Sequence, residues 1–164
     1  MESGWRKEVA ILCELCYDRH IKKQEKRVMY VKIYPTLPEE ACYLRETVFV
    51  QEQGFTDEFD KLDLVSEHFV LFVEDAPAAV CRVYWDGERY ILGRVAVDMD
   101  FRRQGLGAAV VKAAEGRVQE LGGKELHLHA QCRITAFYEA IGYTPYGEIE
   151  PDQGCPHIWM MKRL

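Results

Sequence analysis

Residues 92–107 read LGRVAVDMDFRRQGLG, and this stretch decides the fold. Its first half is an apolar run that predicts a strand, and its second half is a turn that opens a long predicted helix. Backbone N–H groups at the start of a helix have no partner inside the helix and lie at the positive end of its dipole. A turn in this position can therefore hold an anion.

The side chains of the turn suit a pyrophosphate. Gly105 and Gly107 have no Cβ and allow a ligand to approach the main chain, while Arg102 and Arg103 offer charge-assisted hydrogen bonds. A dinucleotide fingerprint would need a third glycine at Val110, and a nucleoside-triphosphate loop would need a Gly-Lys-Ser or Gly-Lys-Thr triplet, which does not occur. Taken alone, the Gly-x-Gly pair is equally consistent with a plain tight turn.

The rest of the chain predicts strands and helices that alternate around this stretch. Apolar runs bounded by turn residues predict strands at residues 29–34, 69–74, 78–85, 90–97, 126–130 and 158–161. Helical spacing predicts helices from Pro38 to about Phe49, from Gly105 to Gly122, and over residues 134–141. Short turns join three consecutive strands, which are therefore antiparallel. The result is a mixed α/β sheet with helices on both faces.

The turn and its surroundings resemble the GNAT superfamily of N-acetyltransferases. The signature of that superfamily is Arg or Gln, two residues, Gly, one residue, then Gly or Ala, and Arg102, Gly105 and Gly107 match it. The resemblance also covers the strand before the turn, Ala130-Gln131 and the segment FYEAIGY at residues 137–143. It implies the GNAT fold, in which a mixed, mostly antiparallel sheet is flanked by helices and splayed at the coenzyme-binding strand.

The resemblance also implies acetyl-CoA as a co-substrate. In the family, the pantetheine arm pairs with the main chain of the strand before the signature, like an added edge strand. N–H groups freed by the splay receive the thioester carbonyl as negative charge develops on it. The residues implied to bind the coenzyme are Val95, Ala96, Val97, Arg102, Arg103, Gln104, Gly105, Leu106, Gly107, Ala108, Gln131 and Tyr138.

Tyr138 matches the position at which many GNAT members keep a tyrosine that protonates the departing thiolate. A tyrosine hydroxyl is still protonated at neutral pH and can donate its proton to sulfur. The alternative interpretation of Tyr138 is a core aromatic residue of a short helix. Gln131 is implied to orient the pantetheine arm, although many relatives carry Asn near this position.

The residue that takes the proton of the attacking amine is less clearly indicated. Residues 44–55, LRETVFVQEQGF, and the later Pro156-His157 resemble one bacterial-type GNAT branch of undefined substrate. A carboxylate or an imidazole near the thioester is required unless the amine arrives neutral. The candidates are Glu52, His68 and His157, in that order. Each of them fits equally well as a structural hydrogen bond or a solvated charge.

Residues 1–27 are predicted to form an extension to the acetyltransferase domain of residues 28–164. The extension reads as one amphipathic helix, whose apolar stripe docks either on its own domain or on a partner. The apolar residues that recur at helical spacing are Val9, Leu12, Cys13, Cys16 and Ile21.

Cysteine and histidine positions do not predict a metal site. Cys13, Cys16 and His20 have zinc-like spacing but no nearby fourth ligand, and His127 and His129 share a strand face without a third. Packing in the core is the favoured reading of the first cluster. The cysteines inside apolar or periodic segments, Cys42, Cys81 and Cys132, are expected to be reduced thiols.

Composition argues against several partners. The chain of 164 residues has a formal net charge of -6 and no long basic run, which disfavours nucleic acid. No apolar run approaches the ~20 residues that a membrane-spanning helix needs, and the charged N-terminus is unlike a secretory signal. A cytoplasmic protein is therefore expected.

The residues leave three functions open. The first is transfer of an acetyl group from acetyl-CoA to a primary amine by direct attack in a ternary complex, with a small molecule, a protein N-terminus or a lysine as acceptor. The second is a non-catalytic coenzyme A sensor. Third, residues 44–60 resemble the acyl-homoserine-lactone synthases, although the full signature at Arg102 argues against that reading. The acceptor, the acyl preference and a homodimer are left undecided.

Overall fold

The computed structural model describes residues 27–164 and, before them, the two residues Glu8–Val9. Glu8–Val9 forms a short strand, β1, that pairs antiparallel with the next strand of the chain. Val9 is therefore extended here, although the sequence predicts it on the stripe of a helix. The remainder of that predicted helix, up to residue 26, lies outside the described residues.

A single twisted sheet organises the described part of the chain. After β1, its strands are β2 Met29–Tyr34, β3 Glu67–Val73, β4 Ala76–Trp85, β5 Tyr90–Val97, β6 Glu125–Gln131, β7 Thr144–Asp152 and β8 Cys155–Arg163. Their order across the sheet is β1-β2-β3-β4-β5-β6-β8-β7. Neighbouring strands are antiparallel except β5 and β6, which are parallel. This confirms the mixed, mostly antiparallel sheet that the resemblance implies.

The strand predictions hold best where apolar runs are bounded by clear turns. β2 and β5 have the predicted bounds, and β3, β4 and β5 are the three antiparallel strands expected. The prediction missed β7, which contains Pro145, Gly147 and Pro151. These residues disfavour a central strand, but β7 lies at the sheet edge, where they are tolerated.

Helices connect the strands at the predicted places, but their types and bounds differ from the prediction. They are α1 Glu39–Arg45, a π-helix at Glu46–Glu52, α2 Leu106–Glu120, α3 Thr135–Ala140, and short 3₁₀ turns at Lys61–Leu64, Met99–Phe101 and Cys132–Ile134. The first predicted helix is α-helical only as far as Arg45 and then continues as a π-helix. Pro38 precedes it with an extended backbone, as a proline at a helix start allows.

Two apolar cores lie on opposite faces of the sheet. The larger core packs α2 and α3 against residues such as Cys81, Leu92 and Leu128. The smaller core packs α1 and the π-helix against residues such as Val70 and Ala96. The alternation of side chains along β3, β4 and β5 supplies both cores at once, so these central strands are buried on both faces.

A buried network of charges joins α1 to the loop before β3 and to the sheet. Arg45 has 0% exposure, and its Nε and Nη1 donate hydrogen bonds of 2.6 Å to Glu58 and Asp63. Arg82 on β4 donates bonds of 2.7 Å to Asp63 and Asp60. Since three carboxylates share several guanidinium donors, each buried charge has an opposite charge in direct contact.

Asp63 lies at the centre of this network. Burial alone would favour its protonated form, but hydrogen bonds from Arg45 and Arg82 outweigh that effect and hold the pKa of Asp63 well below its ordinary value. A carboxylate whose pKa is lowered on folding stabilises the fold above its unfolded pKa of about 4, and this contribution is lost as the pH falls below that value.

Replacing Arg45 with methionine should lower the free energy of unfolding by about 3 kcal/mol or more at neutral pH, because it leaves buried carboxylates without their main partner. The difference from the parent protein should shrink as the pH falls below about 4, where Asp63 begins to lose its charge in the unfolded chain. Urea unfolding across this pH range measures both effects. The exposed pair of Arg163 with Glu125 provides the control, and Arg163→Gln should leave stability nearly unchanged.

Candidate active site

Strands β5 and β6 separate partway along their length. They pair only from Tyr90 to Leu92 on β5 and from Leu126 to Leu128 on β6. Beyond this point β5 continues beside β4, and β6 continues beside β8 as far as Gln131. The separation leaves a wedge-shaped opening, in which the β6-facing edge of β5 has no strand partner among the described residues.

A β-bulge in β5 lies at the start of this opening. Gly93 pairs with Arg82 and Ala96 pairs with Val80, so two residues of β5 oppose the single Cys81 of β4. One of the two is Arg94, whose φ of 55° is unusual for a residue with a Cβ.

Side-chain contacts hold Arg94 in this conformation. Its guanidinium donates to the carbonyl oxygen of Glu58 at 3.2 Å and 3.1 Å and pairs with the Glu58 and Asp60 carboxylates at 3.0 Å and 3.2 Å. The buried network around Arg45 therefore extends to the bulge. A strained backbone persists when its surroundings over-determine it, and here it bends β5 at the opening.

The glycine turn after β5 leaves the start of α2 open. Gly105 precedes α2 with a φ of 75°, and no side chain caps the free N–H groups there. A Cβ on Gly107 would lie 3.3 Å from the Phe137 ring and 3.4 Å from Val97, so glycine permits close packing of α2 against α3 and β5. The residues of the turn, from Arg103 to Gly105, are exposed.

The two arginines of the turn point to different partners. Arg102 donates from Nε to the Val97 carbonyl oxygen at 3.0 Å and forms two hydrogen bonds, of 2.7 Å and 2.6 Å, with the Glu52 carboxylate. Arg103 is exposed and has no carboxylate partner within the described part of the chain. Of the two side chains, only that of Arg103 is free for an anion.

Glu52 is thereby committed to an ion pair. Hydrogen bonding from Arg102 lowers the pKa of Glu52, which makes its carboxylate a weaker acceptor of protons. Glu52 lies at the end of the π-helix, beside the turn that follows β5.

Tyr138 lies in α3 with 5% exposure, at the face of the sheet that carries Cys81. Its ring packs edge-on against Phe137 and Tyr143. No hydrogen bond reaches its hydroxyl from any residue between 27 and 164. Burial raises the pKa of Tyr138, so the hydroxyl stays protonated at neutral pH.

The two candidate histidines lie in different surroundings. His68 on β3 is fully buried, its Nε2 is 3.0 Å from the Asp63 carbonyl oxygen, and burial lowers its pKa. His68 therefore lies beside the buried charge network, in contact with Asp63. His157 on β8 is paired across the sheet with Gln131, at the open end of the wedge, and its Nδ1 is 2.8 Å from the Cys155 carbonyl oxygen.

A hydrogen-bonded bridge crosses the open end of the wedge. Gln131, the last residue of β6, donates to the side-chain oxygen of Gln53 at 3.3 Å. Arg133 donates to the side-chain oxygens of Gln131 at 2.7 Å and of Gln53 at 3.0 Å. Gln53 directly follows Glu52, so adjacent residues contact the glycine turn on one side of the wedge and β6 on the other.

Arg133 and His129 were not predicted as site residues. His129 stacks on Trp159 at 4.7 Å and lies 5.0 Å from His157, and its buried Nε2 has no partner among residues 27–164. Burial and the neighbouring His157 lower the pKa of His129. The sequence pattern noted His129 only as half of an incomplete metal pair, and nothing in the pattern around Arg133 distinguishes it.

A cleft of about 450 Å³ opens beside the bridge. Its lining comes from the segment after the π-helix, from the 3₁₀ turn after β6 and from the hairpin between β7 and β8. The lining residues are Gln53, Gly54, Phe55, Thr56, Asp57, Arg133, Gln153, Gly154 and Cys155.

Metal and membrane features are not found in the part of the chain that the structure describes. Within residues 27–164 no three His, Cys, Asp or Glu side chains are grouped so that they would hold a metal ion. None of the helices described is both long and apolar enough to span a bilayer. Cys42, Cys81, Cys132 and Cys155 are free thiols, whereas Cys13, Cys16 and His20 lie outside the described residues.

Comparison with known proteins identifies the class. The family model described as an acetyltransferase (GNAT) domain matches residues 33–164. The chain belongs to the GNAT acetyltransferase family. The family uses an acyl-CoA as co-substrate, so the coarse activity of the chain is that of an acyl-CoA-dependent acyltransferase.

Individual relatives agree with this assignment. YjcF of Bacillus subtilis, named an uncharacterized N-acetyltransferase, is 35% identical over 126 residues, which cover 75% of this chain and 90% of YjcF. A crystal structure from Lactobacillus plantarum matches with a TM-score of 0.77 at 28% identity, over 83% of this chain and 98% of that protein. The structure of ElaA from Escherichia coli matches with a TM-score of 0.72 at 26% identity, over 84% of this chain and 99% of ElaA.

Replacing Tyr138 with phenylalanine should change the free energy of unfolding by less than about 1 kcal/mol, because the hydroxyl that is removed has no hydrogen bond to lose. Tyr143→Phe is the matched variant, since the Tyr143 hydroxyl donates to buried Glu115 at 3.0 Å. That variant should cost about 1–3 kcal/mol. Urea unfolding of both variants decides the point, and equal losses would mean that the Tyr138 hydroxyl is bonded in solution.

Proposed function

We propose that the chain is an acetyl-CoA-dependent N-acyltransferase that moves an acetyl group to a primary amine by direct attack in a ternary complex. The observation that carries the proposal is the wedge between β5 and β6, with the uncapped start of α2 after the end of β5. Tyr138, whose hydroxyl has no partner in the described chain, packs in the apolar core on the α2 side of the sheet. The opening leaves N–H and C=O groups on the edge of β5 available to pair with an extended ligand.

The coenzyme would bind along β5 and the turn after it. The main chain of residues 102–108 supports binding of a pyrophosphate, because the first N–H groups of α2 are free and Gly105 takes the required left-handed conformation. The exposed guanidinium of Arg103 adds an unneutralised positive charge there.

The pantetheine arm would pair with the free edge of β5 at Val95, Ala96 and Val97. The carbonyl oxygen of Val97 already accepts a hydrogen bond from Arg102, and a carbonyl oxygen has a second lone pair available for the arm. Arg102 therefore contributes by holding the turn in shape, because its hydrogen bonds connect β5 to Glu52 on the π-helix.

The transfer step forms one bond and breaks another. The amine nitrogen attacks the thioester carbon, negative charge develops on the carbonyl oxygen, and the carbon–sulfur bond then breaks to release the thiolate. The hydroxyl of Tyr138 supplies the proton that converts the thiolate to the thiol. The hydroxyl is protonated at neutral pH and has no competing partner in the described chain, while burial, which raises its pKa, makes it a weaker acid.

His157 is the best supported acceptor for the proton of the amine. Glu52 is held in an ion pair that lowers its pKa, and His68 is directed toward the charge network. A carbonyl oxygen can only accept a hydrogen bond, so Nδ1 of His157 carries the hydrogen of the neutral ring. Nε2 then has the lone pair that can take a proton. His157 also pairs with Gln131 at the open end of the wedge, where an acceptor would enter.

Tyr138→Phe should lower kcat by about 100-fold or more, as expected for loss of a general acid, and should leave the affinity for acetyl-CoA unchanged. Thiol release during acetyl transfer measures kcat, and isothermal titration with acetyl-CoA measures affinity. The matched control is Tyr143→Phe, which removes the hydroxyl of a neighbouring ring in the same core and should leave kcat near the wild-type value under conditions where the protein is folded. Equal turnover in wild type and Tyr138→Phe would remove Tyr138 from this role.

The same two measurements, together with product analysis, separate the competing functions. Absence of acetyl-CoA binding by the intact chain would contradict the proposal as a whole. Binding without transfer to any member of a broad amine panel would favour a coenzyme A sensor. Formation of a lactone in the presence of S-adenosylmethionine would favour a synthase of acyl-homoserine lactones.

A further inference from the structure

The cleft beside the wedge has the position and size of an acceptor site. Its volume of about 450 Å³ falls in the range of small-molecule pockets. Gln53 both lines the cleft and accepts a hydrogen bond from Gln131 at the end of β6. A molecule in the cleft therefore lies next to the open end of the wedge, where the thioester is proposed to react.

Arg133 lines this cleft without forming an ion pair, and its charge also acts on the nearby Glu52 carboxylate, which Arg102 binds. Its hydrogen bonds go to two neutral side chains, Gln131 and Gln53, and no carboxylate lies within ion-pair distance in the described part of the chain. Other arginines are neutralised: each of Arg45, Arg82, Arg89, Arg94, Arg102, Arg117 and Arg163 contacts a carboxylate. Between residues 45 and 163, the exceptions are Arg103, at the proposed pyrophosphate site, and Arg133.

The two glutamines orient the guanidinium of Arg133. They occupy Nε and one donor of Nη2, which leaves both donors of Nη1 and the second donor of Nη2 unused. A guanidinium offers parallel donors that match the two oxygens of a carboxylate. Because the side chain is already fixed at two points, less rotational freedom is lost when it binds an anion.

The charges of the residues that line the cleft further restrict the chemical class of the acceptor. Asp57 also lines the cleft, is exposed, and has the opposite sign to Arg133. One positive and one negative side chain suit a molecule that carries one charge of each sign better than a molecule with two negative charges. An amine that also has a carboxylate meets this description.

We propose that Arg133 binds a carboxylate of the acceptor, and that the acceptors of this enzyme are small molecules carrying both an amine and a carboxylate, such as amino acids and their short derivatives. This inference rests on the proposed acyltransferase function. Arg133 acts here by determining specificity, with no part in the proton transfers.

Pairs of acceptors that differ only in the carboxylate test the inference. Suitable pairs are phenylalanine with phenethylamine and lysine with cadaverine, each assayed with acetyl-CoA by thiol release and product mass. The wild-type protein should prefer the carboxylate member of a pair by about 10-fold or more in kcat/KM. Equal use of both members in every pair would overturn the proposal.

The variant Arg133→Gln provides a second test of the inference. It should lower kcat/KM for the carboxylate members by about 10-fold or more, mainly through KM, and should leave the plain amines unaffected. Arg163→Gln, which removes an arginine at the far end of β8, is the matched control and should change neither. Weaker binding of acetyl-CoA by Arg133→Gln would instead make Arg133 a coenzyme contact and would overturn the proposal.

A binding measurement keeps the result independent of turnover. Saturation-transfer NMR of the same acceptors should show contact of the carboxylate compounds with wild type and loss of that contact in Arg133→Gln. Binding that does not depend on Arg133, or no binding at all, overturns the acceptor assignment. If acetyl-CoA fails to bind while Arg133 still holds carboxylates, the proposed acyltransfer fails and the anion site stands.

Discussion

The buried guanidinium of Arg45 is the contact on which the rest of the structure depends. It lies in the interior with no exposed surface and joins α1 to Glu58 and Asp63, on the loop that would otherwise be free to move above the sheet. Removing charges from water is costly, so this arrangement persists only because every carboxylate in it has a guanidinium partner. The shape of the loop is therefore set by charge pairing, with little apolar packing of its own.

That pairing reaches the opening between β5 and β6 through Arg94. The carboxylate and carbonyl oxygen of Glu58 hold Arg94 in a left-handed conformation, and the bulge it forms bends β5 where β5 leaves β6. The wedge that defines the proposed coenzyme site is thus supported by the ion network around Arg45.

Local sequence patterns predicted the strands, the helix and the turn whose positions depend on residues close together in the chain. The apolar runs of β2 and β5 and the helical spacing of α2 gave their positions, and the family signature located the turn before α2. The ion network and the bridge from Gln53 to Arg133 depend on residues far apart in the chain, which no spacing rule connects. The sequence ranked Glu52 first as a base because it could not indicate that Arg102 would hold it.

The contacts of Glu52 and Gln53 also limit how the chain can vary in length. Glu52 contacts the turn after β5, whereas its neighbour Gln53 contacts the end of β6. A single peptide unit therefore sets the spacing between the contacts on the two sides of the wedge. A residue inserted or deleted between them would shift one contact by a full step of the backbone, about 3.8 Å, while the other stayed in place. A change of chain length at this link would therefore break at least one of the two contacts.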